Sequence, residues 1–171
     1  MTSLTVRPLN PAFWIGIPIV LCAIASLVFA LPFSLFGLRL PEPVFAFAPA
    51  FAWAIIRPSV LPPFGLLLLG LFTDLLWGGP IGLWPLCLMS VYAPVLLGRA
   101  FLSGLGFWGL WSWYLVVSGV AMVIGWVLVG LQAGVPPNLI GFGCQFLVTG
   151  ALFPFGFRLI EQYEDADVRF R

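Results

Sequence analysis

Long apolar runs separated by single charged residues dominate the chain. A helix that spans a membrane needs about 20 consecutive, mostly apolar residues, so each run is tested against that length. The runs without Asp, Glu, Lys or Arg are residues 8–38, 43–56, 58–73, 75–98 and 100–157.

The longest run predicts two helices, because Gly134, Pro136 and Pro137 interrupt it with turn-forming residues. Two other segments are short and reach only about 20 Å at 1.5 Å per residue. They predict either short spans in a thinned or shielded region or a re-entrant pair. We interpret the chain as a single transmembrane domain over residues 1–171, with a short charged tail at 158–171. Six spans are predicted at roughly 13–36, 44–57, 63–77, 81–98, 106–131 and 138–157.

Prolines cluster between residues 41 and 63, where six of the sixteen occur. Pro49 lies inside the second predicted segment and predicts a kink or a broken helix there, since proline removes an amide donor. Lipid tolerates such backbone only where protein shields it. We therefore expect the second segment to face other helices.

Composition supports an all-α integral membrane protein. Apolar residues make up 62% of the chain and charged residues 8%, against about 45–50% and 25% in soluble domains. The chain has no His and no Lys, which excludes Ser-His-Asp triads and His-ligated zinc. The net charge of +1 gives no electrostatic footprint for nucleic acid. Its three cysteines are far apart and are interpreted as small buried hydrophobes.

The arginines indicate orientation, because cytoplasmic loops of membrane proteins are enriched in Arg and Lys. With six spans and an inside N-terminus, only Arg39 lies outside. If the second segment does not cross, an outside N-terminus fits equally well, with Arg7 as the exception. Both solutions place the C-terminal tail, Arg57, Arg99 and Arg158 in the cytoplasm. The side of the N-terminus and the span count stay open.

Asp74 is the only acid within an apolar segment. A carboxylate there is expensive and is a functional-site hypothesis by default. The alternative is that Asp74 lies near a helix end, four residues before Gly78-Gly79-Pro80, and caps backbone amides of the next helix or faces interfacial water. A proton relay would need a second buried acid or a His, and the sequence offers neither.

Several glycines lie in the region around Asp74. We assign Gly65 and Gly70 to helix packing, since small residues let backbones approach in lipid, and Gly78, Gly79 and Gly82 to the turn and the start of the next helix. In the last helix, Gly143, Gly150, Pro154 and Gly156 predict a kink and either an internal packing face or a contact for a partner helix. Most of the eight tryptophans fall near predicted span ends and are interpreted as an interfacial aromatic belt.

The arrangement Gly70-x-x-x-Asp74-x-x-x-Gly78-x-x-x-Gly82, with Pro80 in the turn, resembles the signature of the rod-shape-determining protein MreD family. Its specific part covers about residues 40–98, and length and predicted span count are similar over nearly the whole chain. The chain departs from the family in having few basic residues after the last span.

The resemblance implies a non-enzymatic inner-membrane component of the cell-wall elongation machinery, which maintains rod shape during peptidoglycan synthesis. It implies no cofactor and a fold like the substrate-binding subunits of energy-coupling-factor transporters. The implied partners are an MreC-like periplasmic scaffold protein, a class B penicillin-binding protein, a RodA-like glycosyltransferase and an MreB-like filament. The implied role of Gly70, Asp74, Gly78 and Gly82 is to build a helix–turn–helix core that a partner helix recognises.

A second function is a small-molecule-binding subunit of a membrane transporter. Such a site needs several polar groups converging on a cavity. Apart from Asp74, the polar residues inside apolar segments that could contribute are Thr73, Ser90, Ser112, Ser118, Gln145 and Thr149. A membrane enzyme is the third and least supported function, because only one acid is buried and His and Lys are missing.

Overall fold

The computed structural model describes residues 12–30, 34–35, 38–39, 43–56 and 59–168. It is helical in almost all of this, as the predicted all-α class requires. A π-helical turn at Ala12–Gly16 leads directly into the first helix. The helices are α1 (Ile17–Ala30), α2 (Phe47–Ile56), α3 (Leu61–Trp77), α4 (Leu83–Leu102), α5 (Phe107–Ala133), α6 (Leu139–Ala151) and α7 (Phe153–Val168).

A helix occupies each predicted segment, with differences at two of them. The first helix ends at Ala30 rather than at residue 36, and two-residue antiparallel strands β1 (Ser34–Leu35) and β2 (Leu38–Arg39) follow it. The last segment breaks at Leu152 into α6 and α7, because Pro154 has no amide proton with which to continue the ladder. The helix then continues to Val168, through most of the segment predicted as a tail.

Three helical segments are long and apolar enough to cross a membrane: Leu83–Leu102, Phe107–Ala133 and Leu139–Glu161. The remaining helical segments are shorter, at 10–17 residues. Large aliphatic side chains cover the outer faces of the molecule; Leu97 is 88% exposed and Ile140 77%. A soluble monomer rarely exposes so much contiguous apolar surface, so the surface is suited to lipid.

Helix α2 is the centre of the fold. All its residues from Phe47 to Ile55 are buried, and it packs mainly against α4 and α7. The expectation that this segment faces other helices is confirmed. The predicted kink at Pro49 is wrong, because the helix starts at Phe47 and proline is tolerated in a first turn, where no amide is needed.

An aromatic cluster joins α2, α5 and α7. The Phe51 ring lies 5.5 Å from that of Tyr114 and 5.9 Å from that of Phe153, and both pairs meet edge to face. Phe107 stands at 90° to Phe157 with their centroids 4.9 Å apart. Such pairs add about 0.5–1.5 kcal/mol each beyond the area that they bury, so they fix α7 against the central helix.

Two tryptophans donate hydrogen bonds to carbonyls that lie four residues before a proline. Trp53 Nε1 donates to the Trp14 carbonyl at 3.0 Å, four residues before Pro18. Trp111 Nε1 donates to the Gly150 carbonyl at 3.3 Å, four residues before Pro154. Each indole N–H thus donates to a carbonyl that receives no α-helical hydrogen bond, because the residue four positions later is a proline and has no amide proton.

The aromatic-belt interpretation is wrong for two tryptophans. Trp53 is fully buried in α2, and Trp14 is 4% exposed. Trp108 and Trp113 are the exposed ones among the described residues, at 72% and 41%. The cysteine interpretation holds for Cys87, which is buried, whereas Cys144 is exposed.

The structure describes only some of the arginines from which the membrane orientation is predicted. Arg7, Arg57, Arg169 and Arg171 lie outside the described residues. Arg99 and Arg158 fall in α4 and α7.

Candidate functional site

The region that the sequence analysis singled out forms a helical hairpin, α3–turn–α4. Gly78 ends α3 with φ of +64°, and Gly82 precedes α4 with φ of +98°. Residues with a side chain rarely adopt this left-handed region, and glycine does so freely. The Pro80 carbonyl accepts a hydrogen bond from the Leu83 amide at 3.1 Å and closes the turn. The chain therefore reverses within residues 78–82.

Asp74 ties the two helices together across this turn. Its side chain is 2% exposed. One carboxylate oxygen, Oδ2, accepts from the Gly82 amide at 2.6 Å, and the other, Oδ1, accepts from the Trp84 amide at 2.9 Å. Because the N-cap residue Gly82 has no side chain of its own, an acid from the preceding helix caps α4.

The helix N-terminus suits this carboxylate, since the first amides and the helix dipole both favour negative charge there. Of the two possibilities that the sequence left open, capping is the one that the structure displays. Asp74 lines neither of the two cavities described below. Its chemistry here is that of an acceptor that holds two helix ends at a fixed distance.

Gly70 allows the two helices to touch. A Cβ atom on Gly70 would lie 2.5 Å from the Pro85 nitrogen and 2.7 Å from its Cα, closer than real Cβ atoms come to backbone. Gly65 lies where α1 packs on α3, with Ile19 Cδ1 at 2.8 Å from its Cβ position, although that side-chain end could shift more readily than the backbone that faces Gly70. Both glycines have the packing role that the sequence indicates.

Two tryptophans flank the turn and were missed as part of the site. Trp77 and Trp84 meet edge to face at 4.6 Å and 78°. The Trp77 Nε1 atom is buried and has no acceptor among the described residues. Their positions, one just before Gly78 and one just after Gly82, are the sequence signal that could have identified the pair.

Four of the other polar residues within the helices bond to backbone groups. The hydroxyls of Thr73, Ser90 and Ser112 donate to carbonyls of their own helices, at 2.8 Å, 2.7 Å and 2.8 Å. Thr149 is fully buried, and its Oγ1 accepts from the Val44 amide at 3.1 Å. These groups satisfy backbone and hold elements together.

A cavity of about 250 Å³ lies beside the hairpin, between α2, α4, α5 and α6. Trp84, Trp126 and Phe142 give it aromatic walls, while Asn138 and Gln145 supply amide groups. At about 30 Å³ for each water-sized group, it has room for roughly eight such groups. Within the described part of the chain, no three His, Cys, Asp or Glu side chains come together as a metal site would require.

Comparison of the chain with models of protein families, with curated proteins and with solved structures finds no match. The class of protein therefore follows from the structure itself. It is a helical protein with three helices able to cross a membrane and a capped helical hairpin packed beside a fully buried central helix.

Proposed function

We propose that this protein is a non-enzymatic inner-membrane component of the cell-wall elongation machinery that maintains rod shape by binding and organising partner membrane proteins. The partners are an MreC-like scaffold, a class B penicillin-binding protein, a RodA-like glycosyltransferase and an MreB-like filament. The fold is then a six-span relative of the substrate-binding subunits of energy-coupling-factor transporters, with a cytoplasmic C-terminus.

The main support for this proposal is that Asp74 caps a helix. Both oxygens of this buried acid accept backbone amides, which suits a structural part of a scaffold better than a proton donor or a nucleophile. The whole motif is then explained by architecture, since Gly70 permits contact with α4, and Gly78 and Gly82 form the turn.

Because the motif glycines are used inside the fold or in its turn, partner contact needs another face. Helix α6 supplies one. Gly141, Cys144, Val148 and Ala151 are all exposed, and their spacing of three or four residues places them along one side of the helix. The small residues Gly141 and Ala151 let a second helix approach closely in lipid, so we propose that a single-span partner helix packs here.

Cysteine cross-linking tests this contact, since Cys144 is exposed on the proposed stripe while Cys87 is buried. Cysteines introduced one at a time along the span of the MreC-like partner should form a disulfide with Cys144 at every third or fourth position. Gly141→Leu should abolish it, and Val120→Leu, on the exposed face of α5, should not. Equal cross-linking at all positions would refute the contact.

Conditional depletion in the rod-shaped host tests the function. We expect cell width to grow over a few generations, followed by rounding and lysis. Asp74→Ala should fail to complement, through loss of the folded protein or of partner binding. Normal protein levels and full complementation by Asp74→Ala would contradict the role assigned to the motif.

The cavity of about 250 Å³ beside the hairpin favours one alternative, a small-molecule-binding subunit of a membrane transporter. Aromatic walls with two amide side chains suit a small, uncharged ring compound. Depletion would then leave rods unchanged and cause a growth defect that a nutrient rescues. That nutrient should also raise the unfolding temperature of the purified protein, as any ligand of the folded state does.

A further inference from the structure

A second and larger cavity also borders α2. It is a cleft of about 600 Å³ lined by α1 and α7, to which Ala48 and Pro49 of α2 contribute. Along α1 it extends from Ile17 to Ala25, about 12 Å at 1.5 Å per residue. Its lining residues include Ile17, Leu21, Cys22, Ala25, Ala48, Pro49, Phe155 and Leu159.

Among the described residues that line this cleft, Arg158 is the charged one and the others are apolar. It ends the uncharged run of residues 100–157, where the chain passes from apolar to charged sequence. The residue is exposed and makes no ion pair among the side chains that the structure describes. An arginine at such a boundary is best accommodated by an anion at headgroup level.

The dimensions of the cleft fit an acyl chain. A leaflet occupies about half of the 30 Å hydrocarbon core, so the cleft covers most of one leaflet. If a methylene takes about the volume of a water, roughly 30 Å³, the cleft holds on the order of twenty carbons. A partner helix is about 10–12 Å wide and would insert only one row of side chains, and an apolar helix would bring no anion to Arg158.

From the cleft and its cation we infer that α1, α2 and α7 form a binding site for one anionic phospholipid. An acyl chain lies in the cleft and the phosphate pairs with the Arg158 guanidinium. The site stands independently of the proposed function.

Native mass spectrometry of the full chain in detergent, titrated with phosphatidylglycerol or phosphatidylcholine, tests this site. The wild type should retain one phosphatidylglycerol in preference to phosphatidylcholine. Arg158→Gln should weaken phosphatidylglycerol binding by about fivefold, the share of one basic side chain near an anionic headgroup, and Arg158→Lys should restore most of it. Arg99→Gln is the matched control, since Arg99 lies at the end of α4 outside the cleft.

Filling the cleft tests the acyl chain separately. Ala25→Phe should weaken binding of both lipids, whereas Ile24→Phe should not, because Ile24 is exposed on α1 but does not line the cleft. Circular dichroism and size exclusion check the folding of each variant. If Ala25→Phe does not fold, Leu21→Trp replaces it, with Val20→Trp as its control.

Three results would overturn the inference. Equal losses in Arg158→Gln and Arg99→Gln would indicate general electrostatic attraction. Unchanged binding in the filled-cleft variants would place the lipid elsewhere on the surface. A single-span protein that displaces the lipid, and whose binding is lost in Ala25→Phe but kept in Arg158→Gln, would show that the cleft holds a helix. Inorganic phosphate at millimolar concentration should not compete with phosphatidylglycerol, since the acyl chain of the lipid supplies most of its contact with the protein.

Discussion

Replacing Asp74 by Ala removes the acceptor for two amides at the start of α4. The carboxylate accepts at 2.6 Å from Gly82 and at 2.9 Å from Trp84, and it is 2% exposed. Water does not easily take its place at such a site, so both hydrogen bonds are lost. At about 1.5 kcal/mol for each bond to a charged group, the expected loss is about 3 kcal/mol. Asp74→Asn keeps one carbonyl acceptor and should lose about half as much.

Thermal unfolding of the purified protein in detergent measures this effect. A chain of this length loses about 2–4 °C per kcal/mol, so Asp74→Ala should unfold about 6–12 °C below the wild type and Asp74→Asn about 3–6 °C below it. Glu161→Ala removes the same charge from an exposed position and should shift the midpoint by about 2 °C or less. If Asp74→Ala unfolded within 1 °C of the wild type, the carboxylate would not be the cap that we describe.

Three further predictions use the same assay. Gly70→Ala should destabilise by about 1–3 kcal/mol, because its Cβ would overlap the α4 backbone, while Gly79→Ala, with open space around it, should have little effect. Thr149→Val leaves a buried amide without its acceptor and should lose about 1–3 kcal/mol; Thr73→Val loses only a bond to its own helix and should lose less. Gly78→Ala should lose about 1 kcal/mol through its left-handed backbone, and Gly78→Asn less. If the two variants of any pair lowered the unfolding temperature equally, the reasoning for that pair would be contradicted.

The helices of this protein could be located from the charge-free runs. Runs of apolar residues locate helices because every backbone group in lipid must be satisfied within its own segment. The boundaries were less predictable. Pro154 indicates a break close to its own position, but no local pattern identifies Trp111, 39 positions before Gly150, as the donor to the Gly150 carbonyl at this break.

In the motif, the roles of the glycines could be predicted from the sequence, whereas the role of Asp74 could not. Its glycines could be assigned to packing and turn from spacing, since φ above zero and close backbone approach each require glycine. The role of Asp74 could not be decided, because a carboxylate near a helix end is equally compatible with a functional site, a cap or a group that faces interfacial water. The position of the Gly82 and Trp84 amides decided it.

What the sequence by itself determined is the class of structure: so few charges on so apolar a chain favour a membrane protein, and the long charge-free runs favour helices. Tertiary structure alone decided how deeply each helix is buried, where the tryptophans lie and which cavities exist. Helices α1 and α2 are equally apolar, because their mean hydrophobicities are too similar to rank them. Yet α2 is buried and α1 is largely exposed. In lipid, apolarity does not drive a helix inward, so close packing at small residues such as Ala48 against Gly156 sets the centre of the fold.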